Sequence, residues 1–334
     1  MGDTMKRGMR PQSRSSGWNQ YLLILATAVA LAAVALTGCA QRQYEEIDLS
    51  ERVDDAELIL IAPDADSGAL RFGFDLRGNA GEDAREYLPF LRYLEQATGL
   101  SFELRFTPKD STAGDMLGTG EFDFAALGAG SYLEANERYG VIPLVRGVNA
   151  EGRTEYRSVI VVAPDSPIQR IEDLRGRSFA FSCLNSTQGH LIPRIILAEH
   201  GMSLEDLASY EYTGSHQNCA NAVAAGRFDA GGVQDILAQR LVADGLLRII
   251  HTSEYHPSSG ITANPDLPPD VIEKVRQALL DFQPAGAHAD GLYHWDRTEM
   301  ANGFREARED DYDELREWSI RFGLLDAPAG GEAQ

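Results

Sequence analysis

The sequence is short of cysteine, short of basic residues relative to its acids, and without a very long apolar run. Three cysteines in 334 residues are too few for a disulfide scaffold or a cysteine-rich metal domain. Thirty Lys and Arg stand against 51 Asp and Glu, a formal net charge of −21. Phosphate contacts need a basic face, so nucleic acid is excluded as a partner, and so is broad attraction to anionic lipid. The apolar run Tyr21 to Leu36 has 16 residues, whereas a spanning helix usually needs about 20. His251, His256 and His288 have no metal-ligand spacing with a carboxylate pair. No G-x-S-x-G nucleophile elbow is present. No metal and no cofactor is therefore expected. At face value the acidity also disfavours an anionic ligand. What remains is ordinary for a globular protein, with 43% hydrophobic and 24% charged residues and a length that suits two modest domains or one large one.

The N-terminus reads as an address. Lys6, Arg7, Arg10 and Arg14 precede the apolar run, the layout of a secretory signal. The run ends in Leu36-Thr37-Gly38-Cys39, which resembles the bacterial lipobox. That resemblance implies lipidation of Cys39, a signal over residues 1–38, and a periplasmic protein anchored to a membrane through its N-terminal lipid. Loss of residues 1–38 removes four basic side chains and one acidic one, leaving −24. Residues 39–67 are polar and acidic and are expected to be a tether.

From Ala69 onward short apolar runs alternate with helical patterns. Strands are expected at 69–74, 101–106, 122–127 and 141–145, with helices at 82–98, 112–117 and 131–139. A second series follows, with strands at 158–163, 178–182, 210–213, 228–233 and 247–251. Its helices are expected at 171–174, 191–199, 217–225 and 235–242. Strands separated by helices imply parallel α/β sheets. The expected architecture is α/β with two lobes, each a mostly parallel sheet flanked by helices. Lobe 1 takes residues 68–153 and regains 252–322, lobe 2 takes 154–251, and 323–334 form a tail. Within 307–322 an acidic amphipathic helix is expected, with Tyr312, Leu315 and Trp318 on one side.

Three strand-to-helix turns carry the chemistry. In the first, Asn185-Ser186-Thr187-Gln188-Gly189-His190 links an apolar strand to a helix whose first turn must hold Pro193, because a proline deeper inside would lose a backbone bond. Free N–H groups and the positive end of the helix dipole then point out of the turn, as anion sites require. Ser186 and Thr187 add hydroxyls, and Gly189 is expected to permit close backbone approach. Ordinary capping needs only one such residue. The second turn is Thr213-Gly214-Ser215-His216 and the third ends in Gln234-Asp235. Ligands of open α/β sheets sit beyond the carboxyl ends of strands, which gathers all three turns at one crevice.

The order Tyr156-Arg157-Ser158-Val159, Asn185-Ser186-Thr187-x-Gly189-His190-x-x-Pro193, Gly214-Ser215-His216, Gly226-Arg227-x-Asp229-Ala230 resembles the phosphonate/phosphite substrate-binding proteins of ABC transporters. The likeness covers about Ala69 to Phe282. It implies the two-lobed periplasmic binding protein fold of type II, whose hinge segments would cross near 151–156 and 251–262. Ser186, Thr187 and His216 would hold the oxygens of a small oxyanion, Tyr156 would close over it, and Asp235 would face an aminoalkyl tail. The first-lobe aromatic of the family is missing after Phe106-Thr107-Pro108, where Lys109-Asp110-Ser111 stands instead. The loop Gly128-Ala129-Gly130-Ser131 is small, yet its amides and Ser131 suit an oxyanion. The implied partners are a small oxyanion and an ABC permease, the protein acting as a monomer. A sensor kinase is the alternative partner, with arsenite or another oxyanion as ligand.

Cys183 and Cys219 flank two of the turns. An extracytoplasmic disulfide is the first expectation, closing a loop of 36 residues worth roughly 3–4 kcal/mol in the chain-entropy model. Two unpaired thiols, or thiols binding a thiophilic species such as arsenite, are the alternatives. A hydrolase triad of Ser186, His190 or His216, and Asp229 is the remaining enzymatic reading.

Overall fold

The computed structural model of the chain describes residues 68–75, 80–108 and 111–326. The expected signal, the tether, Lys109-Asp110 and the end of the tail lie outside the described residues.

The chain opens with β1 (Leu70–Phe74), α1 (Ala80–Thr98), β2 (Phe102–Leu104), α2 (Ala113–Gly118), β3 (Phe124–Leu127), α3 (Ala129–Tyr139) and β4 (Ile142–Gly147). The period-3.6 apolar stripe of α1 does what its spacing dictates: Tyr87, Phe90, Leu91 and Leu94 are buried against Phe72 and Phe74 of β1. The chain then leaves this sheet through β5 (Glu155–Tyr156).

A second sheet is built from β6 (Ser158–Val162), β7 (Ser178–Phe181), β8 (Ser209–Tyr212), β9 (Ala230–Gln234) and β10 (Arg248–Thr252). Between them lie α4 (Ile192–Glu199), α5 (His216–Ala224) and α6 (Asp235–Ala243). β6 is buried along its whole length, as the unbroken Ser-Val-Ile-Val-Val run requires of a strand covered on both faces. The chain returns through β11 (His256–Pro257), β12 (Gly260–Ala263), α7 (Pro269–Leu280), β13 (Phe304–Glu306) and α8 (Asp313–Arg321).

The strand order is β13-β4-β12-β3-β1-β2 in the first sheet and β10-β6-β9-β7-β8 in the second. The two-lobed α/β architecture is as expected, but the sheets are mixed. In the first, only β1 with β2 and β1 with β3 are parallel, while β12 runs antiparallel to both β3 and β4. In the second, β7 is parallel to β8 and β9, while β6 is antiparallel to β9 and β10. The cause is the double crossing between lobes. A strand that enters or returns from the other lobe need not follow a right-handed βαβ crossover.

The crossing segments pair as a two-stranded ribbon, β5 with β11, His256 opposite Tyr156. Tyr255 binds this ribbon from one side. The guanidinium carbons of Arg153 and Arg157 lie 4.5 and 4.8 Å from its ring centre.

The helix expected over 307–322 begins later, at Asp313, because the chain is still bonded to β4 at Ala307, whose N–H donates to Leu144 O at 3.2 Å, and Glu309–Tyr312 winds as a 3-10 turn with Arg308 N–H donating to Asp311 at 2.8 Å. It touches both lobes. Arg316 pairs with Glu137 of α3 at 3.2 Å, and Phe322 lies under Arg194 of α4 at 4.3 Å. The tail is anchored at its start, where Leu324 donates its N–H to Ser319 at 2.8 Å. Among the described residues no helix is long and apolar enough to cross a membrane.

Candidate ligand-binding cleft

Pro193 shapes the first turn of the site. It is the second residue of α4, and it has no N–H for the carbonyls of Gly189 or Gln188. Other strands take over both acceptors. Ser182 N–H donates to Gly189 O at 3.0 Å, and Ser158 Oγ donates to Gln188 O at 2.5 Å. The residues ahead of the helix, Thr187–Leu191, are thereby wound as a π turn, with Leu191 N–H donating to Ser186 O at 3.0 Å. Such turns recur at functional sites because they re-aim side chains. Ser186 caps the turn, its Oγ accepting Gly189 N–H at 2.9 Å.

Lobe 1 meets this turn through the N-terminus of α3. Gly130 N–H donates to Thr187 Oγ1 at 2.7 Å, and Asn185 Nδ2 donates to Ser131 Oγ at 3.2 Å. Tyr156 is buried in the hinge, its hydroxyl turned toward Thr187 and the backbone at Ala129. Burial holds that phenol well above its ordinary range. The approach is close because Gly130 has no side chain. A Cβ there would lie 2.8 Å from Asn185 O across the interface.

His216 opens α5, capped by Ser215. Gln234 N–H donates to its Nδ1 at 3.2 Å, so Nδ1 is the unprotonated nitrogen and Nε2 carries the ring hydrogen. Nε2 lies 3.4 Å from Ser186 Oγ. Asp235 opens α6. Burial first, and then the charge of Glu299, push its carboxyl up to about 6, opposed by the Ile236 N–H and by Arg157.

The N-termini of α3, α5 and α6 thus adjoin the capped π turn, bringing the hydroxyls of Ser131, Ser186 and Thr187 and one imidazole N–H together. Oriented dipoles and neutral donors of this kind bind an anion without a fixed positive charge. A family model described as the phosphonate periplasmic substrate-binding protein of ABC transporters matches residues 72–312. The chain belongs to this family.

Similarity to members of the family extends over most of the molecule. The phosphate-import protein PhnD of Mycolicibacterium smegmatis is 26% identical over 315 residues, 87% of this chain and 94% of that one. Among solved structures, PhnD1 of Prochlorococcus marinus in complex with methylphosphonate superposes with a TM-score of 0.69 at 18% identity, covering 77% of this chain and 99% of that one. A binding protein component of an ABC phosphonate transporter from Pseudomonas aeruginosa gives 0.67 at 20% identity, covering 79% and 90%. These establish the periplasmic binding protein fold. As a family member the chain is a periplasmic substrate-binding component of an ABC transporter.

Not every residue singled out in the sequence faces the cleft. His190 is fully buried inside lobe 2. Its Nδ1 meets Leu184 O at 2.5 Å, its Nε2 meets the Tyr212 hydroxyl at 3.0 Å, and burial pushes its pKa down to about 4. With both ring nitrogens engaged it is a structural residue. Gly189 leaves space for Ser182, not for a ligand, since a Cβ there would lie 2.3 Å from Ser182 Oγ.

The expected disulfide is absent. Cys183 and Cys219 are free thiols. Cys183 Sγ turns to Gly214 O at 2.8 Å, and Cys219 Sγ turns into the lobe 2 core toward Ala180 O at 3.2 Å. Burial holds them protonated, at about 11 and about 12.

The hydrolase triad does not assemble. Asp229 accepts from the N–H and hydroxyl of Ser178, and His216 Nε2, as the protonated nitrogen, cannot take a proton from Ser186.

Sequence reasoning missed Asp75 and Glu299. Asp75 follows β1 and accepts Gly128 N–H at 3.0 Å. Glu299 is buried and bonded to the Ser259 hydroxyl. Nothing in their sequence neighbourhood marks them, because the partners are 40 or more residues away.

Proposed function

We propose that this protein captures a small phosphorus oxyanion, a phosphonate or phosphite, between its lobes and delivers it to an ABC permease. The observation that carries the reading is the convergence of the α3 N-terminus of lobe 1 with Ser186, Thr187 and His216 of lobe 2. In this reading the Gly130 amide, the Ser186 and Thr187 hydroxyls, the Tyr156 hydroxyl and His216 Nε2 hold the oxygens. Ser131 fixes the Asn185 loop, and Asp235 faces the substituent on phosphorus. Closing the lobes about the β5–β11 ribbon would bury the ligand under these donors. Lipidation at Cys39 would keep the monomeric receptor at the membrane beside its permease.

The test is titration calorimetry of the purified protein with phosphate, phosphite, methylphosphonate, aminoethylphosphonate, sulfate and arsenite. One-to-one binding of a phosphonate or phosphite without turnover is expected. Ser186→Ala and Thr187→Val should each weaken it by about tenfold or more, the cost of one or two hydrogen bonds to a charged group. Failure of every oxyanion to bind would overturn the reading.

A further inference from the structure

We propose that His190, which lies outside the cleft, positions the oxyanion turn: its Nδ1–H holds the Leu184 carbonyl and so sets where Asn185, Ser186 and Thr187 stand. This inference rests on the oxyanion reading of the cleft.

Leu184 needs such a hold. It lies beyond the end of β7, and its side chain is 60% exposed, so packing does not fix it. Two carbonyls of the turn are held by one residue. His190 donates its backbone N–H to Ser186 O at 3.1 Å and its ring Nδ1–H to Leu184 O at 2.5 Å. Asn185 lies between those carbonyls, and it is the residue that reaches lobe 1, where its Nδ2 donates to Ser131 Oγ at 3.2 Å. Ser186 and Thr187, whose hydroxyls serve the site, come next in the chain. The ring that holds them is fully buried. It stands edge-on to Phe181 and to Tyr212, with ring centres 5.1 Å apart in each case.

A carbonyl only accepts hydrogen bonds, so the ring proton sits on Nδ1. Neutral imidazole carries one N–H, which makes Nε2 an acceptor, and the Tyr212 hydroxyl donates to it at 3.0 Å. Burial keeps the ring neutral by pushing its pKa down to about 4. A proton moved to Nε2 would set a lone pair against Leu184 O and leave that carbonyl unpaired. Tyr212 thus fixes the tautomer from the edge strand β8, and the tautomer fixes the turn. Hydroxyls that share one oxyanion have to be held to within about 0.5 Å, and supporting bonds of this kind do so.

The experiment separates the two ring nitrogens by substitution. The side-chain amide of asparagine falls where Nδ1 is, and that of glutamine falls where Nε2 is. His190→Asn therefore keeps a donor for Leu184 O, whereas His190→Gln keeps only an acceptor for Tyr212. Both trim a buried ring, so both should lower Tm by similar amounts. In calorimetry with methylphosphonate, His190→Asn should bind within about threefold of wild type. His190→Gln should bind about tenfold or more weaker, the cost of one hydrogen bond lost in a buried turn. In the wild-type protein, nitrogen-15 NMR should show His190 protonated on Nδ1.

A folded His190→Gln that binds as well as His190→Asn, whether both match wild type or both fall, would overturn the proposal. So would a wild-type ring protonated on Nε2. If either variant does not fold, the wild-type tautomer and Tyr212→Phe decide. Tyr212→Phe removes the donor to Nε2 and should weaken binding about threefold, and unchanged binding would count against the clamp as firmly as the wrong tautomer. If the wild-type protein binds neither methylphosphonate nor any other oxyanion, the cleft reading itself fails, and this inference with it. If wild type binds and the two His190 variants match, only this inference fails.

Discussion

His190 and His216 sit on neighbouring turns of one lobe and look alike in the sequence, yet only His216 reaches the cleft. The difference lies in partners drawn from other strands. Gln234 N–H turns His216 so that Nε2 faces Ser186, while Leu184 O and Tyr212 claim both nitrogens of His190. Residue types and order pointed to the candidate cleft at Ser186, Thr187 and His216, since helix N-termini and hydroxyls announce themselves locally, while Tyr156 came from the family resemblance alone. Asp75 and Glu299 were illegible because their roles depend on strand neighbours. Asp235 gives a residue-scale prediction. Its folded pKa of about 6 lies above the ordinary 3.8, so the fold binds a proton more tightly than the unfolded chain does. Stability from this group is full below about pH 4 and is lost as pH rises through about 6. In the ligand-free protein Asp235→Asn should raise Tm by about 2–4 °C at neutral pH. The gain should vanish near pH 4, and thermal melts at the two pH values check this.

At the scale of elements, the glycines of the cleft separate closure from folding. Gly130 lies inside α3 with ordinary helical geometry, so alanine there is favourable to the helix by roughly 1 kcal/mol. Its Cβ would meet Asn185 O of the other lobe at 2.8 Å. Gly130→Ala should therefore leave the unliganded Tm unchanged or higher and weaken ligand binding by about tenfold or more, read by calorimetry. Gly189→Ala should do the reverse. Its Cβ would strike Ser182 within lobe 2, an overpacking that should cost about 1–3 kcal/mol of stability in denaturant melts. The sequence placed Pro193 in the first helical turn, as found. The π turn was not legible, because the carbonyls that Pro193 leaves unpaired are bonded by Ser158 and Ser182 from two different strands.

At the scale of the whole molecule, the net charge of −21 describes the exterior more than the cleft. At physiological salt the screening length is about 8 Å, so surface carboxylates act on an approaching anion and little on a bound one. The association rate of a phosphonate should rise about two- to fivefold as salt is raised from about 10 to about 150 mM, with the dissociation rate nearly constant. Stopped-flow binding at several ionic strengths checks both rates. The two series of alternating strands and helices made the lobes readable in the sequence. Their mixed strand directions were not readable, because β6 and β12 take their orientation from the hinge crossings.

The placement of β12 between β3 and β4 has a temporal consequence. Residues 260–263 fill the middle of the first sheet, and they follow the whole second lobe in the chain. As the polypeptide emerges from synthesis or export, the second lobe has all its strands once residue 252 is out. The first lobe, although begun earlier, keeps an open seam until β12 arrives. The lobe that starts the protein is thus the last to finish. A long-range closure of this kind is intrinsically slow, and it leaves the edges of β3 and β4 exposed to the other contents of the compartment for the interval.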